Sequence, residues 1–202
     1  MNGFVMTHTM IRLKLCGLVC LLVSALALAA CGSLTSGGNS SRAAMTQAIG
    51  SGDKVAMLPV ANFTDVPQAG LRVEALLESA LRQAGLRQLA IYPPALNPET
   101  LFEPGERKAQ LEAEKWAKAQ GMRYVVTAAV NEWRYKVGVD GEPAVGMMLQ
   151  VKDLSNDQVV YSSAGGRTGG SREALSAVGL RLTTELVAGI RVEQAGTPTK
   201  TR

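Results

Sequence analysis

The chain has 202 residues, with 21 Lys+Arg, 17 Asp+Glu, one His, three Cys and 4% aromatics. That fits a single globular domain with tails and excludes a disordered chain or a multispan membrane protein. One histidine excludes multi-histidine metal sites, and a net charge of +4 without a basic run excludes a nucleic-acid stripe.

Residues 1–30 contain no Asp or Glu. Arg12 and Lys14 precede an apolar run over 15–30, the pattern of a signal peptide. The run has 16 residues, short of the roughly 20 that span a bilayer. It ends Leu28-Ala29-Ala30-Cys31, a lipobox, in which Cys31 receives diacylglycerol and then an N-acyl chain such as palmitate. Cleavage there removes His8, Cys16 and Cys20 and lowers the net charge to +2. Gly32 follows the cysteine, where Asp would favour the inner membrane. The expected location is therefore the periplasmic leaflet of the outer membrane, lipid-anchored, with no cofactor beyond the acyl groups and no metal.

Residues 31–53 are rich in Gly, Ser, Asn and Ala and are expected to form a flexible tether. Twenty such residues span roughly 25 Å. One α/β domain is expected over 54–192, and a disordered tail over 193–202.

Within the domain, the apolar run 54–63 predicts a strand, with Pro59 marking an edge or an irregularity. Helical spacing of Val73, Leu76, Leu77, Ala80, Leu81 and Ala84 predicts a helix over 65–84, ended by Gly85. A short strand is expected at 89–92. A second helix is expected at 106–120, with Ala109, Ala113, Trp116 and Ala117 inward and Gly121 as its stop. Residues 123–137 predict a long strand, and 144–154 with 158–164 a hairpin about Ser155-Asn156-Asp157. A last helix is expected over 171–190, with Ser171 as N-cap and Leu175, Val178, Leu182 and Leu186 as its buried stripe. The order β-α-β-α-β-β-β-α gives the fold class: α/β (α+β), a mixed sheet packed by about three helices.

Three motifs bear on function. Gly165-Gly166-Arg167-Thr168-Gly169-Gly170 precedes a helix and could cradle phosphate. It lacks the Lys-Ser/Thr of a P-loop, so a strand-to-helix turn fits better. Arg167 and Arg172 are candidate contacts to lipid phosphates at the membrane surface. Asp140 and Glu142 lie in a Gly/Pro-bounded loop. They read as turn chemistry, as an acid–base pair, or as an acidic ring made by repetition in an oligomer. Trp133-Arg134-Tyr135-Lys136 interleaves aromatic and basic groups, so Trp133 and Tyr135 are candidates for sugar stacking, subunit contact or core packing.

The stretches EWRYKVGVDGEPAVG (132–146), VAMLPVANFTD (55–65) and SREALS (171–176) resemble the PelC family. The opening strand is shared with the periplasmic parts of CsgG, LpoB and TolB. The resemblance implies a non-enzymatic lipoprotein of Pel exopolysaccharide export in biofilm matrix. It implies a twelve-subunit homo-oligomeric ring beneath a PelB-like porin, with an acidic face that funnels a cationic aminosugar polymer. On this resemblance Asp140, and then Glu142, carry the polymer-guiding role. The family's membrane-dipping tryptophan falls at Gly170 here, which leaves Arg167, Arg172 and the acyl chains to meet the membrane. The alternative is an LpoB-like activator of a peptidoglycan synthase, against which the short tether argues. The partners implied are outer-membrane lipid, the porin, the polymer and further copies of the chain, with no nucleic acid.

Overall fold

Tyr124–Tyr135 is the longest strand of the sheet, and the remaining elements are arranged around it. The computed structural model describes residues 39–96, 106–138 and 141–193, all within the unit Gly38–Arg202. Its strands are β1 (Asn39–Arg42), β2 (Val55–Met57), β3 (Ala61–Asn62), β4 (Leu89–Ile91), β5 (Tyr124–Tyr135), β6 (Pro143–Asp153) and β7 (Gln158–Thr168). The helices are α1 (Ala69–Gln83), α2 (Glu106–Ala119) and α3 (Leu175–Val187), with a 3₁₀ turn at Pro94–Leu96. The sheet order is β1-β7-β6-β5-β2-β4, with β3 also pairing β5. β2, β3 and β4 run parallel to their neighbours, while β5, β6, β7 and β1 form an antiparallel blade.

Alternation along the strands divides the core in two. Val55, Met57, Tyr124, Val126, Val130, Trp133, Val145, Met147, Leu149 and Val151 face α1 and α3. Ala56, Leu58 and Val125 face Ala113 and Ala117 of α2 on the other side. Trp116 stands edge-on to Tyr92, with ring centroids 5.3 Å apart. The expected stripes are the buried ones: Val73, Leu77, Ala80 and Leu81 in α1, and Val178, Leu182 and Leu186 in α3. Gly85 and Gly121 end their helices with φ of +101° and +67°, a conformation open to glycine without steric cost.

Four sequence expectations are corrected. The expected strand 54–63 is two strands, parted by Pro59, which has no N–H for the ladder. Pro59 thus marks an irregularity, the second of the two readings: β2 lies between β4 and β5, β3 pairs β5 alone, and Glu74 of α1 accepts the Val60 N–H at 2.9 Å where the ladder breaks. The expected tether 31–53 is folded from residue 39 onward. β1 pairs with β7, and Met45 and Ile49 are 5% and 0% exposed. Ile49 bridges Val192, and the Glu193 N–H donates to the Ile49 carbonyl at 2.8 Å. Polar composition concealed this, because β1 is an edge strand made of Asn, Ser and Arg. The supposed glycine turn is strand through Thr168, because Gly166 sits between Gly146 and Asn39 in the sheet. Finally, the last helix starts at Leu175 with Ala174 at its N-cap, not at Ser171. The remaining tail, 194–202, lies outside the described residues.

Candidate functional site

Register places several loops at one end of the sheet. Tyr135 stands opposite Pro143, Ala144 opposite Thr168, and Asn39 opposite Gly166. The β5–β6 tip, the 169–174 segment and the start of β1 therefore share that end. At the tip, the Lys136 N–H donates to the Glu142 carbonyl at 2.7 Å. Gly141 adopts φ +51°, which lets the chain turn tightly there. Glu142 is exposed at this closure. Asp140 and Cys31 lie outside the described residues.

The aromatic–basic stretch separates by strand alternation. Trp133 points into the core at 3% exposure, and its ring lies against Gly179 of α3. A subunit contact through Trp133 is thereby corrected to core packing. Tyr135 is 51% exposed, and its hydroxyl accepts the Leu175 N–H at 3.2 Å, satisfying a donor in the first turn of α3. Arg134 reaches back to Glu132 at 2.9 Å.

Trp133, Val145 and Arg167 are cross-strand neighbours on the helix side of the sheet. That direction explains Arg167. Its guanidinium is ion-paired with Glu185 of α3, and its Nε is buried without a hydrogen-bond partner. Membrane contact by Arg167 is therefore corrected: the side chain is committed inward, where leaving a charge unpaired is costly. Arg172 is exposed and has no ion-pair partner among the described residues. Close by, Glu173 accepts the Gly170 N–H at 3.3 Å and pairs with Arg181. Arg181 beside it holds the Glu173 carboxyl below its ordinary value, outweighing a partial desolvation that pushes the other way. Gly169 has no room for a side chain, since a Cβ would fall on Glu173 and Val178; Gly170 faces open space.

Charges at the opposite end of the blade are satisfied within the fold. Glu114 bonds Lys152 at 2.7 Å and Lys118 at 3.1 Å, while Asp157 lies 3.3 Å from Lys118. Burial pushes the Glu114 carboxyl up, but its two lysine partners together hold it below the ordinary range. Arg123 stacks over Tyr124 and approaches Asp53 and Asp153 at 3.4 and 3.6 Å. No group of three or more His, Cys, Asp or Glu among the described residues could hold a metal ion. No described helix is long and apolar enough to cross a membrane.

Sequence reading missed one feature towards the β5–β6 tip. β3 leaves the sheet after Asn62 while β5 continues, and a cavity of about 520 Å³ opens between them, lined by Phe63, Asp65, Asn131, Glu132 and Arg134 among others. The signal was there: Asn62-Phe63-Thr64-Asp65 places a lone aromatic in a polar turn.

The fold is thus a mixed-sheet α/β domain built on a long antiparallel blade, with helices packed on both faces of its sheet. No protein-family model and no curated protein sequence matches the chain. Among solved structures, it is similar to the PelC dodecamer from Paraburkholderia phytofirmans. The identity is 37%, over 78% of this chain and 100% of that one, with a TM-score of 0.65. A leucine-to-methionine variant of that dodecamer matches at 36% identity, with the same coverage and TM-score. The lipoprotein GNA1162 from Neisseria meningitidis aligns at 19% identity over 67% of this chain and 96% of its own, with a TM-score of 0.49. The chain belongs to the PelC family.

Proposed function

We propose that this protein is a non-enzymatic outer-membrane lipoprotein of Pel polysaccharide export, acylated on Cys31. Its copies assemble into a periplasmic ring that guides a cationic exopolysaccharide toward an outer-membrane porin. The observation that carries this reading is the 37% identity to a dodecamer-forming chain over that chain's whole length. Ring assembly supplies what the isolated domain lacks. One exposed carboxylate contributes little, because salt screens it beyond roughly 8 Å at physiological ionic strength. Repeated around a pore, the Asp140 and Glu142 loops would sum to a focusing potential for a polycation. Weak contacts repeated in this way let a polymer advance, whereas one tight site would hold it.

The membrane side of the reading rests on Cys31 and Arg172. Two or three acyl chains anchor stably, since each buried CH₂ contributes about 0.8 kcal/mol. Arg172 is exposed at the end of the sheet where the fold begins, and it is available to a lipid phosphate.

The test is the mass and negative-stain image of the detergent-solubilised, acylated protein. Rings are the expected result; a strict monomer at all concentrations and in all membrane mimics would remove this function. Asp140→Ala should keep normal protein levels and reduce secretion of the cationic polymer. Unchanged secretion would take the guiding role away from that loop.

A further inference from the structure

We infer that the cavity beside the end of β5 is a subsite for one hexosamine unit of a polysaccharide. This rests on the export reading above and adds a stated ligand and place to it. β3 covers β5 only through Ala61 and Asn62, and the Phe63 N–H donates to the Val130 carbonyl at 2.9 Å as the last such contact. Past Val130, β5 has no strand neighbour on that side among the described residues. The resulting space, about 520 Å³, lies within the roughly 300–1,000 Å³ range of small-molecule sites.

Its lining has a chemistry that water alone does not need. Phe63 is 64% exposed, so an apolar ring stands at the rim of a polar cavity. The turn that carries it is fixed. Asn62 Oδ1 accepts the Thr64 N–H at 3.1 Å and its hydroxyl at 2.7 Å, and Asn62 Nδ2 donates to the Val66 carbonyl at 3.0 Å. The ring is thus held outward at a constant cost in apolar exposure, which a ligand would relieve. Sharing the lining with it are two carboxylates, Asp65 and Glu132, the Asn131 amide, and Arg134, bonded to Glu132 at 2.9 Å.

A pyranose matches this set. Its C–H face covers an aromatic ring, and its hydroxyls donate to carboxylates. An ammonium substituent is attracted both by Asp65 and by the negative face of Phe63. An acetamido substituent finds donor and acceptor together in Asn131. A phosphate-bearing ligand does not match, because two carboxylates stand against a single arginine that is already paired. β5 then leads to the acidic tip, placing the subsite and the Asp140 loop on one strand.

The test uses the acylated full chain in detergent, titrated calorimetrically with glucosamine and N-acetylglucosamine hexamers. Saturable binding is expected. Phe63→Ala should weaken both ligands about tenfold, a change of roughly 1.4 kcal/mol. Asp65→Asn should weaken the glucosamine hexamer by a similar factor and the acetylated one less. Lys118→Ala, at the opposite end, should bind as the wild type does. Asp65 is exposed, so its variant keeps the test open should Phe63→Ala fail to fold. Absence of binding by the wild type, or affinities within twofold for both variants, overturns the subsite. So does a Phe63→Ala protein with altered particle mass and unaltered sugar affinity, which would mean that a second copy covers this face. A monomeric preparation that binds the hexamer supports the subsite while removing the ring, and a ring that ignores both hexamers does the reverse.

Discussion

Replacing Gly179 with alanine tests how α3 is held to the blade. A Cβ there would lie 2.7 and 2.8 Å from Cη2 and Cζ3 of Trp133, and 3.1 Å from Cδ1 of Leu76. Carbon atoms prefer about 3.5–4.0 Å, so the indole or the helix must move by roughly 1 Å. The indole has little freedom, because Trp133 is 3% exposed and stands beside Val145 in the ladder. Overpacking of this kind costs about 1–3 kcal/mol, and exchanging glycine for alanine in a helix returns about 1 kcal/mol. With so little freedom to adjust, the upper half of that range applies, so the expected net loss is about 1–2 kcal/mol, seen in thermal melts as a fall of roughly 2–8 °C for a domain of this size. Gly170→Ala, where a Cβ meets nothing within 4 Å, serves as the neutral control. Trp133→Phe removes the two clashing ring carbons, so the double variant should lose less than the sum of the single losses. A Gly179→Ala protein as stable as the wild type, or a strictly additive double variant, would refute the account of this contact.

Other expectations follow from the same geometry. Ile49→Ala, at a fully buried site, should cost about 2–5 kcal/mol in urea unfolding, whereas a true tether residue would cost nothing. Glu185→Gln leaves Arg167 partly buried and unpaired; with the pair only partly exposed, a loss of about 1–2 kcal/mol is expected in the same assay. Asp153 is 1% exposed: burial pushes its carboxyl up, but Ser155 and Arg123 together hold it below its ordinary value of 3.8. Its contribution is therefore full above that value and is lost as pH falls through the lower folded value. The stability gap between wild type and Asp153→Asn should be widest near neutrality and close in acid, as unfolding curves at several pH values would record.

The helices and the long strands were legible because their apolar residues repeat at 3.6 and 2. Val73 to Leu81 and Val145 to Val151 are buried where the spacing puts them. The first strand was not, because β1 is an edge strand whose stability comes from backbone pairing with β7, which leaves no hydrophobic signature. The glycines of 165–170 misled for a related reason. Gly166 belongs to a strand between two others, where opposed backbones, rather than a turn, fill the space. Among the candidate residues, alternation separates Trp133 from Tyr135. Pairing of Arg167 with Glu185 depends on a helix packed from elsewhere in the chain, and local spacing cannot reveal it. The Phe63 cavity exists only because β3 stops while β5 continues, a difference of tertiary length.

For a chain acylated on Cys31 as proposed, the pairing of β1 with β7 sets the mechanics of anchoring. Eight residue steps separate Cys31 from Asn39, the first residue of β1. Even fully extended they reach at most about 29 Å. Under the proposed acylation of Cys31, a body so close to its anchor would not reach a distant enzyme. Pulling on the anchor would load β1 along its ladder, in shear across several hydrogen bonds. The proposed lipid would then hold the domain in a fixed working position, as the proposed role of a stationary guide requires.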